Sequence, residues 1–251
     1  MRYVLIALLV SALPAFAEDQ AHLNAFDEGR YEDAAAIAET QPTPDALAFA
    51  ARSLLAEAMS NSDYEPPLLL LNAAETKARD ALAIAPEHIE ARLQLAIALS
   101  LKARPLSNRE GMRTGYGKDA KSLADGVLED DPENSYVHGF LAVWHLEVRR
   151  RGGSIGASVM GASVRKGREH YQRAIAIEPG DASLHWQYAR ALAALNSKKY
   201  KNEILEALNH AIECETDSTL ETVMKERARI LLTALETKSR KNAERVAAQM
   251  L

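Results

Sequence analysis

Four prolines divide this chain into nearly equal lengths. Pro42, Pro86, Pro132 and Pro179 stand 44, 46 and 47 residues apart. Most of the stretches they close carry residues of restricted size at fixed offsets upstream. Ala74, Ala78 and Ala81 precede Pro86, and Ala120, Ala124 and Val127 precede Pro132. Gly167, Tyr171 and Ala174 precede Pro179, and Ile204, Leu208 and Ala211 repeat the spacing before Thr216. Steps of four and three put each set on one stripe of a helix. Small side chains there let a neighbouring helix approach closely. Proline then ends the helix, because it lacks an N–H and bars helical geometry in the residue before it. Beyond each proline a second amphipathic stretch begins, with Leu95, Ala96 and Leu99, then Leu141, Ala142 and His145, then Tyr188, Ala189 and Leu192 at matching offsets. The pattern predicts an all-α array of repeated helix pairs.

With these residues in place, the chain resembles the tetratricopeptide repeat (TPR) family. Gly115, Ala120, Ala124 and Pro132 fit that family's slots, as do Ala74, Ala78, Ala81 and Pro86, and Gly29-Arg30-Tyr31-Glu32-Asp33-Ala34 matches its turn into the second helix of a pair. The resemblance covers most of residues 20–236. It implies a superhelical solenoid of about five antiparallel helix pairs with a concave groove. It implies little about what the groove holds, because such repeats host unrelated binding roles. The family unit is about 34 residues long, so these units run roughly 10 to 13 residues over. The extra length is expected between the two helices of a unit, at about 58–67, 100–114 and 146–161. Insertions at one point of successive units emerge on one edge, giving a thickened rim. Such elongated connections look like those of atypical TPR proteins related to the microtubule-dynamics-regulator and TRAP-transporter-associated groups.

The first residues read as an export signal. Met1-Arg2 is a short positive start, Tyr3–Leu13 an apolar run, and Ala15-Phe16-Ala17 an A-x-A cleavage site. The expected organisation is therefore a cleaved signal over 1–17, a TPR-like domain over 18–237 and a C-terminal capping helix over 238–251. The cap would bear Ala243, Val246, Ala247 and Met250 on one face, covering an end of the array. The expected location is outside the cytoplasm, and periplasmic in a Gram-negative bacterium. No later stretch approaches the 20 or so apolar residues of a spanning helix. The single cysteine, Cys214, excludes an intramolecular disulfide.

Net charge is −5, which argues against general nucleic-acid binding. Cations nonetheless cluster at two expected insertions. Arg104, Arg109 and Arg113 mark the first, and Arg149, Arg150 and Arg151 the second. They predict a basic rim for a protein partner in the cell envelope or an anionic ligand, or else a solvated face paired with nearby carboxylates. Residues 152–167, rich in glycine, alanine and serine around Met160, read as a tightly packed short helix or as a mobile flap over the groove. Trp144, His145 and Tyr188 read as packing residues or as groove lining, and for His145 a site shared with Glu147 and a histidine of a neighbouring helix is the further alternative.

Chemistry finds no footing. There is no Gly-x-Ser-x-Gly elbow, Walker loop, HExxH or Cys/His cluster, so neither a cofactor nor a metal is expected. The reading is an exported, non-catalytic TPR-like adaptor. The alternative is an accessory solute- or anion-binding protein associated with a transporter.

Overall fold

A computed structural model describes residues 15–60, 65–216 and 218–250. Most of the expected signal segment, 1–14, and part of the expected 58–67 insertion lie outside the described residues, as does Leu251. Thirteen helices and no strand occur among the described residues. They are α1 (Ala15–Asp27), α2 (Tyr31–Ala38), α3 (Pro44–Ser60), α4 (Leu68–Ile84), α5 (Ile89–Ala103), α6 (Asn108–Thr114), α7 (Tyr116–Asp130), α8 (Ser135–Val159), α9 (Val164–Ile177), α10 (Ala182–Asn196), α11 (Lys201–Glu213), α12 (Thr219–Thr237) and α13 (Arg240–Gln249).

The proline punctuation acts as the sequence predicts. The residues before Pro86, Pro132 and Pro179 are Ala85, Asp131 and Glu178. All three leave the helix in nearly the same way, with φ of −132°, −134° and −125°. Two residues after each of these prolines a side chain starts the next helix. His88, Asn134 and Asp181 each accept a backbone N–H of the first turn, and Ser218 does so two residues after Thr216. Such a cap satisfies one of the donors that a helix start leaves unpaired.

Five pairs form: α1 with α2, α3 with α4, α5 with α7, α8 with α9, and α10 with α11. The second helix of each pair turns its small stripe inward. Ala74, Ala78, Ala81, Ala120, Ala124, Val127, Ala174 and Ala211 are all fully buried. Gly167 is the tightest of these positions. A Cβ there would stand 3.0 Å from the Ala142 carbonyl oxygen and 3.4 Å from His145 Cβ. Gly167→Val should therefore force α9 off α8 and cost about 1–3 kcal/mol of stability. Gly156→Ala, with nothing within 4 Å, should cost none. Urea unfolding of the two variants beside the wild type checks the contrast.

The extra length is mostly helical. The first insertion ends in α6, closed by a reciprocal Ser107–Glu110 capping box. The second lengthens α8, which breaks at Gly153 (φ 61°, ψ −158°) and resumes to Val159. It stops in a left-handed turn at Gly161 (φ 66°), where Ala162 N–H reaches Ala157 O and Gly161 N–H reaches Ser158 O. That double bond pattern is a Schellman stop. Residues 154–159 are thus helical rather than an open loop, anchored by Ala157 and Ala162 buried beside Trp144, while Ile155 and Val159 stay exposed. The two insertions meet where Asn108 Nδ2 donates to Arg151 O at 3.0 Å, so they share one edge.

The C-terminal region bends the array back on itself. α12 stacks on α10 and α11 as the next inner helix would. It also reaches the first units: Thr219 Oγ1 donates to Asp27 O at 3.1 Å and Arg227 Nη1 to Met59 O at 2.6 Å. α13 packs chiefly on α10 and only secondarily on α12. It covers apolar surface as a cap does, but the surface belongs to the inner helices.

Candidate interaction groove

The inner side of the array is lined by the first helix of each pair. α3 packs on α5 and α8 packs on α10, whereas the backbones of α5 and α8 stand further apart, with Leu93, Phe140 and Leu141 packing between them. Beyond these residues, at the end of α5, arginines meet the end of α13. Arg104, the residue after α5, donates from Nη2 to Ala248 O at 2.9 Å and Met250 O at 2.8 Å. Arg190 of α10, fully buried, donates to Ala247 O at 3.4 Å and to Glu147 Oε1 at 3.1 Å. Arg150 grips the other Glu147 oxygen through two nitrogens at 2.8 and 2.7 Å. Arg151 donates to Ala103 O at 2.8 Å and also to Leu106 O. Two helix ends, those of α5 and α13, thus present carbonyls to arginines. The negative end of the helix dipole favours this arrangement.

Electrostatically this is a cationic centre organised by one carboxylate. Burial would raise the Glu147 pKa, but Arg190, Arg150 and Arg104 outweigh burial and hold it at about 2. Burial, with Arg190 nearby, pushes Arg104 down to about 9. Burial also lowers Arg190 and Arg151. Even so lowered, Arg104 stays charged at neutral pH.

α13 itself is weakly anchored by packing. Its buried side chains are Ala243 and Ala247, joined by Met250 just beyond it. Val246 and Ala248 are partly buried beside them, and polar contacts add to the attachment. Besides Arg104 and Arg190, Glu244 accepts from Ser197 N–H at 3.0 Å and Ser197 Oγ at 3.3 Å.

The sequence-predicted residues divide by place. Arg104, Arg150 and Arg151 come together in the groove centre. Arg109 and Arg113 stand exposed on α6, and Arg149 is half-buried on α8. Arg149 borders a cleft of about 460 Å³ whose lining includes Ser154, Ser158, Ser163, Lys199 and Tyr200. A second cleft of about 430 Å³ shares Lys199 and Tyr200 and adds Arg168 and Lys201. Arg168 is already engaged by Glu203 through two bonds at 2.8 and 2.9 Å.

Trp144 is 5% exposed and donates from Nε1 to Gly117 O at 2.8 Å. Met160 packs into the small cluster around Trp144. Tyr188 is buried, stacks on Tyr171 with ring centres 3.8 Å apart and donates its hydroxyl to Glu203. All three lie in packed surroundings.

His145 is buried, stacked on His170 at 5.6 Å and edge-on to Trp144 at 5.1 Å. Its Nδ1 is buried without a hydrogen-bond partner. Burial and the charges of His170, Lys166 and Lys121 lower its pKa to about 4. His170 falls to about 4 through burial and His138, whose Nδ1 lies 2.9 Å from its own. No group of three or more His, Cys, Asp or Glu among the described residues is arranged to hold a metal. Glu147, near His145 in sequence, is committed to arginines instead. Cys214 ends α11 as a half-buried free thiol whose pKa burial raises. No helix among the described residues is long and apolar enough to cross a membrane.

Glu147 and Arg190 are the functional-looking groups that sequence reasoning missed as a pair. One signal was present: Arg190 stands in α10, where eleven of fifteen residues are buried. A charge inside such a helix requires a partner.

No family model matches the sequence. No curated protein matches it either. Among solved structures, a thermophilic TPR protein of Thermus thermophilus has a similar fold, with a TM-score of 0.59 and 20% identity, over 86% of this chain and 98% of that one. The chain is thus an all-α solenoid with a TPR-like fold.

Proposed function

We propose that this chain is an exported, non-catalytic TPR-like scaffold that holds a protein partner of the cell envelope. The observation that carries the reading is the inner surface itself. It is lined by successive inner helices, has a cationic centre at Arg104, Arg150 and Arg190, and already holds one helix by its backbone carbonyls. A surface built to satisfy a helix end is a surface for polypeptide. The exposed Arg109 and Arg113 on the thickened rim add a steering charge for an acidic partner, worth more in association rate than in affinity. Export rests on the leader-like first seventeen residues.

In-cell crosslinking of the tagged protein, followed by mass spectrometry, tests this. The wild type is compared with Arg109→Glu/Arg113→Glu, two exposed changes that leave the groove centre intact. The expected result is one dominant envelope protein in the wild type, with a several-fold lower yield in the variant and at raised salt. Absence of any enriched protein would overturn the scaffold reading.

A second reading has one observation in its favour. The adjoining clefts beside Arg149 and Lys199 are of a size for a small anionic solute. A melting shift of several degrees with small carboxylates or phosphate, lost in Arg149→Ala/Lys199→Ala, would favour it.

A further inference from the structure

We infer that α13 is a releasable latch lying in the groove in place of the partner, and that the groove takes a short amphipathic helix from another protein with the same chemistry. The inference rests on the scaffold reading and names what that scaffold binds.

Four observations carry it. First, α13 does not stack on α12 as the outer helix of a sixth pair, but turns inward onto α10. Second, its hold is a narrow one: Ala243, Ala247 and Met250 buried on one stripe with Val246 and Ala248 partly buried beside them, Glu244 on Ser197, and three carbonyls on Arg104 and Arg190. Its remaining face, Arg240, Lys241, Asn242, Arg245 and Gln249, is exposed. Third, it starts without a side-chain cap at Ser239 and follows two extended residues, Lys238 (φ −101°, ψ 158°) and Ser239 (φ −60°, ψ 151°). Such a link swings without disturbing α12. Fourth, the surface beneath it is interface-like: buried arginines whose hydrogen bonds water or another helix end can replace.

The occupant's chemistry follows from the contacts. Alanine-sized residues at i and i+4 allow close approach to α10. A methionine-sized residue at i+7 fills the apolar floor. A carboxylate at i+1 meets Ser197, and the helix must end in the groove so that its last carbonyls face Arg104 and Arg190. A longer helix running on through that point lacks free carbonyls and fits poorly.

Hydrogen exchange on the intact wild-type chain is the first arm. Amides of 240–250 are expected to exchange at least a hundred-fold faster than those of α10 and α12, at one rate as a unit. Exchange together with α10 would overturn the latch while leaving the scaffold reading untouched. The second arm titrates a labelled, C-terminally amidated peptide of residues 238–250 into full-length protein. Ala247→Lys, which places a like charge at a buried contact beside Arg190, should bind the peptide at least ten-fold more tightly than the wild type does. Adding Arg104→Ala should remove that gain. Equal binding by the wild type and Ala247→Lys would overturn the proposal. Should Ala247→Lys not fold, Arg104→Ala alone must raise α13 exchange about ten-fold, and no change would overturn it. Failure to find any crosslinked protein, by contrast, sinks the scaffold reading and leaves the exchange result standing.

Discussion

Glu147→Ala is expected to lower the unfolding free energy by about 3–5 kcal/mol, the range for orphaning buried charge. Glu147 is the carboxylate to which Arg190 and Arg150 bind, and Arg104 lies in its field. Its removal leaves a fully buried guanidinium at Arg190 with only Gln187 and the Ala247 carbonyl as neutral partners. Like charges at Arg104, Arg150 and Arg151 then face one another without a counter-ion. For a chain of this length the change corresponds to a melting drop of roughly 6–20 °C. The double variant Glu147→Ala/Arg190→Met should be less destabilised than Glu147→Ala alone, because the cost lies in the unpaired charge and not in the lost pair. Guanidinium unfolding at pH 7 of the two variants and Arg190→Met completes the cycle. A single-variant loss below about 1 kcal/mol would refute the organising role of Glu147.

The array was legible in the sequence because it is written in local geometry. A proline in a fixed place and a small stripe before it are short-range signals, and Pro86, Pro132 and Pro179 marked helix boundaries directly. The caps two residues later, His88, Asn134 and Asp181, are equally local signals that the structure added. The shared edge of the insertions was legible too, since unit periodicity fixes where each emerges. The groove centre was not legible. Arg104, Arg150 and Arg151 read as surface charges because each falls in a run of cations at an expected insertion, and nothing local says that Arg104 meets residues 144 and 146 positions away. The stripe of Ala243, Ala247 and Met250 announced a buried face without naming its floor. An amphipathic helix of this kind fits an outer stacking position and an inner groove equally well. Only the bend that returns α12 to Asp27 and Met59 decides between them.

Acid should weaken this fold well above the range in which carboxylates titrate. His145 and His170 have folded pKa values of about 4 against an ordinary 6.5. The unfolded chain therefore binds more protons than the folded one between about pH 6.5 and pH 4, and stability falls as pH drops through that window. Above about pH 7 neither state is protonated at these rings, and they contribute no slope. A tenfold difference in proton affinity between folded and unfolded chain is worth about 1.4 kcal/mol. Halved for solvent screening at these partly covered rings, the expected loss by pH 4 is on the order of 3 kcal/mol for the pair. Glu147 is depressed to about 2, so the stability it contributes is kept down to about pH 4.5 and is lost only below that. The two contributions are thus separated in pH. The cause at the histidines is packing: His145 lies edge-on to Trp144 and stacked on His170, where a charged ring would face Lys121, Lys166 and a second imidazole. His145→Phe/His170→Gln should flatten the urea midpoint between pH 6.5 and 4 while keeping the wild-type fold at pH 8. A double variant that retains the full acid slope would place the titrating groups elsewhere. His185, which burial also lowers, would be the next to replace.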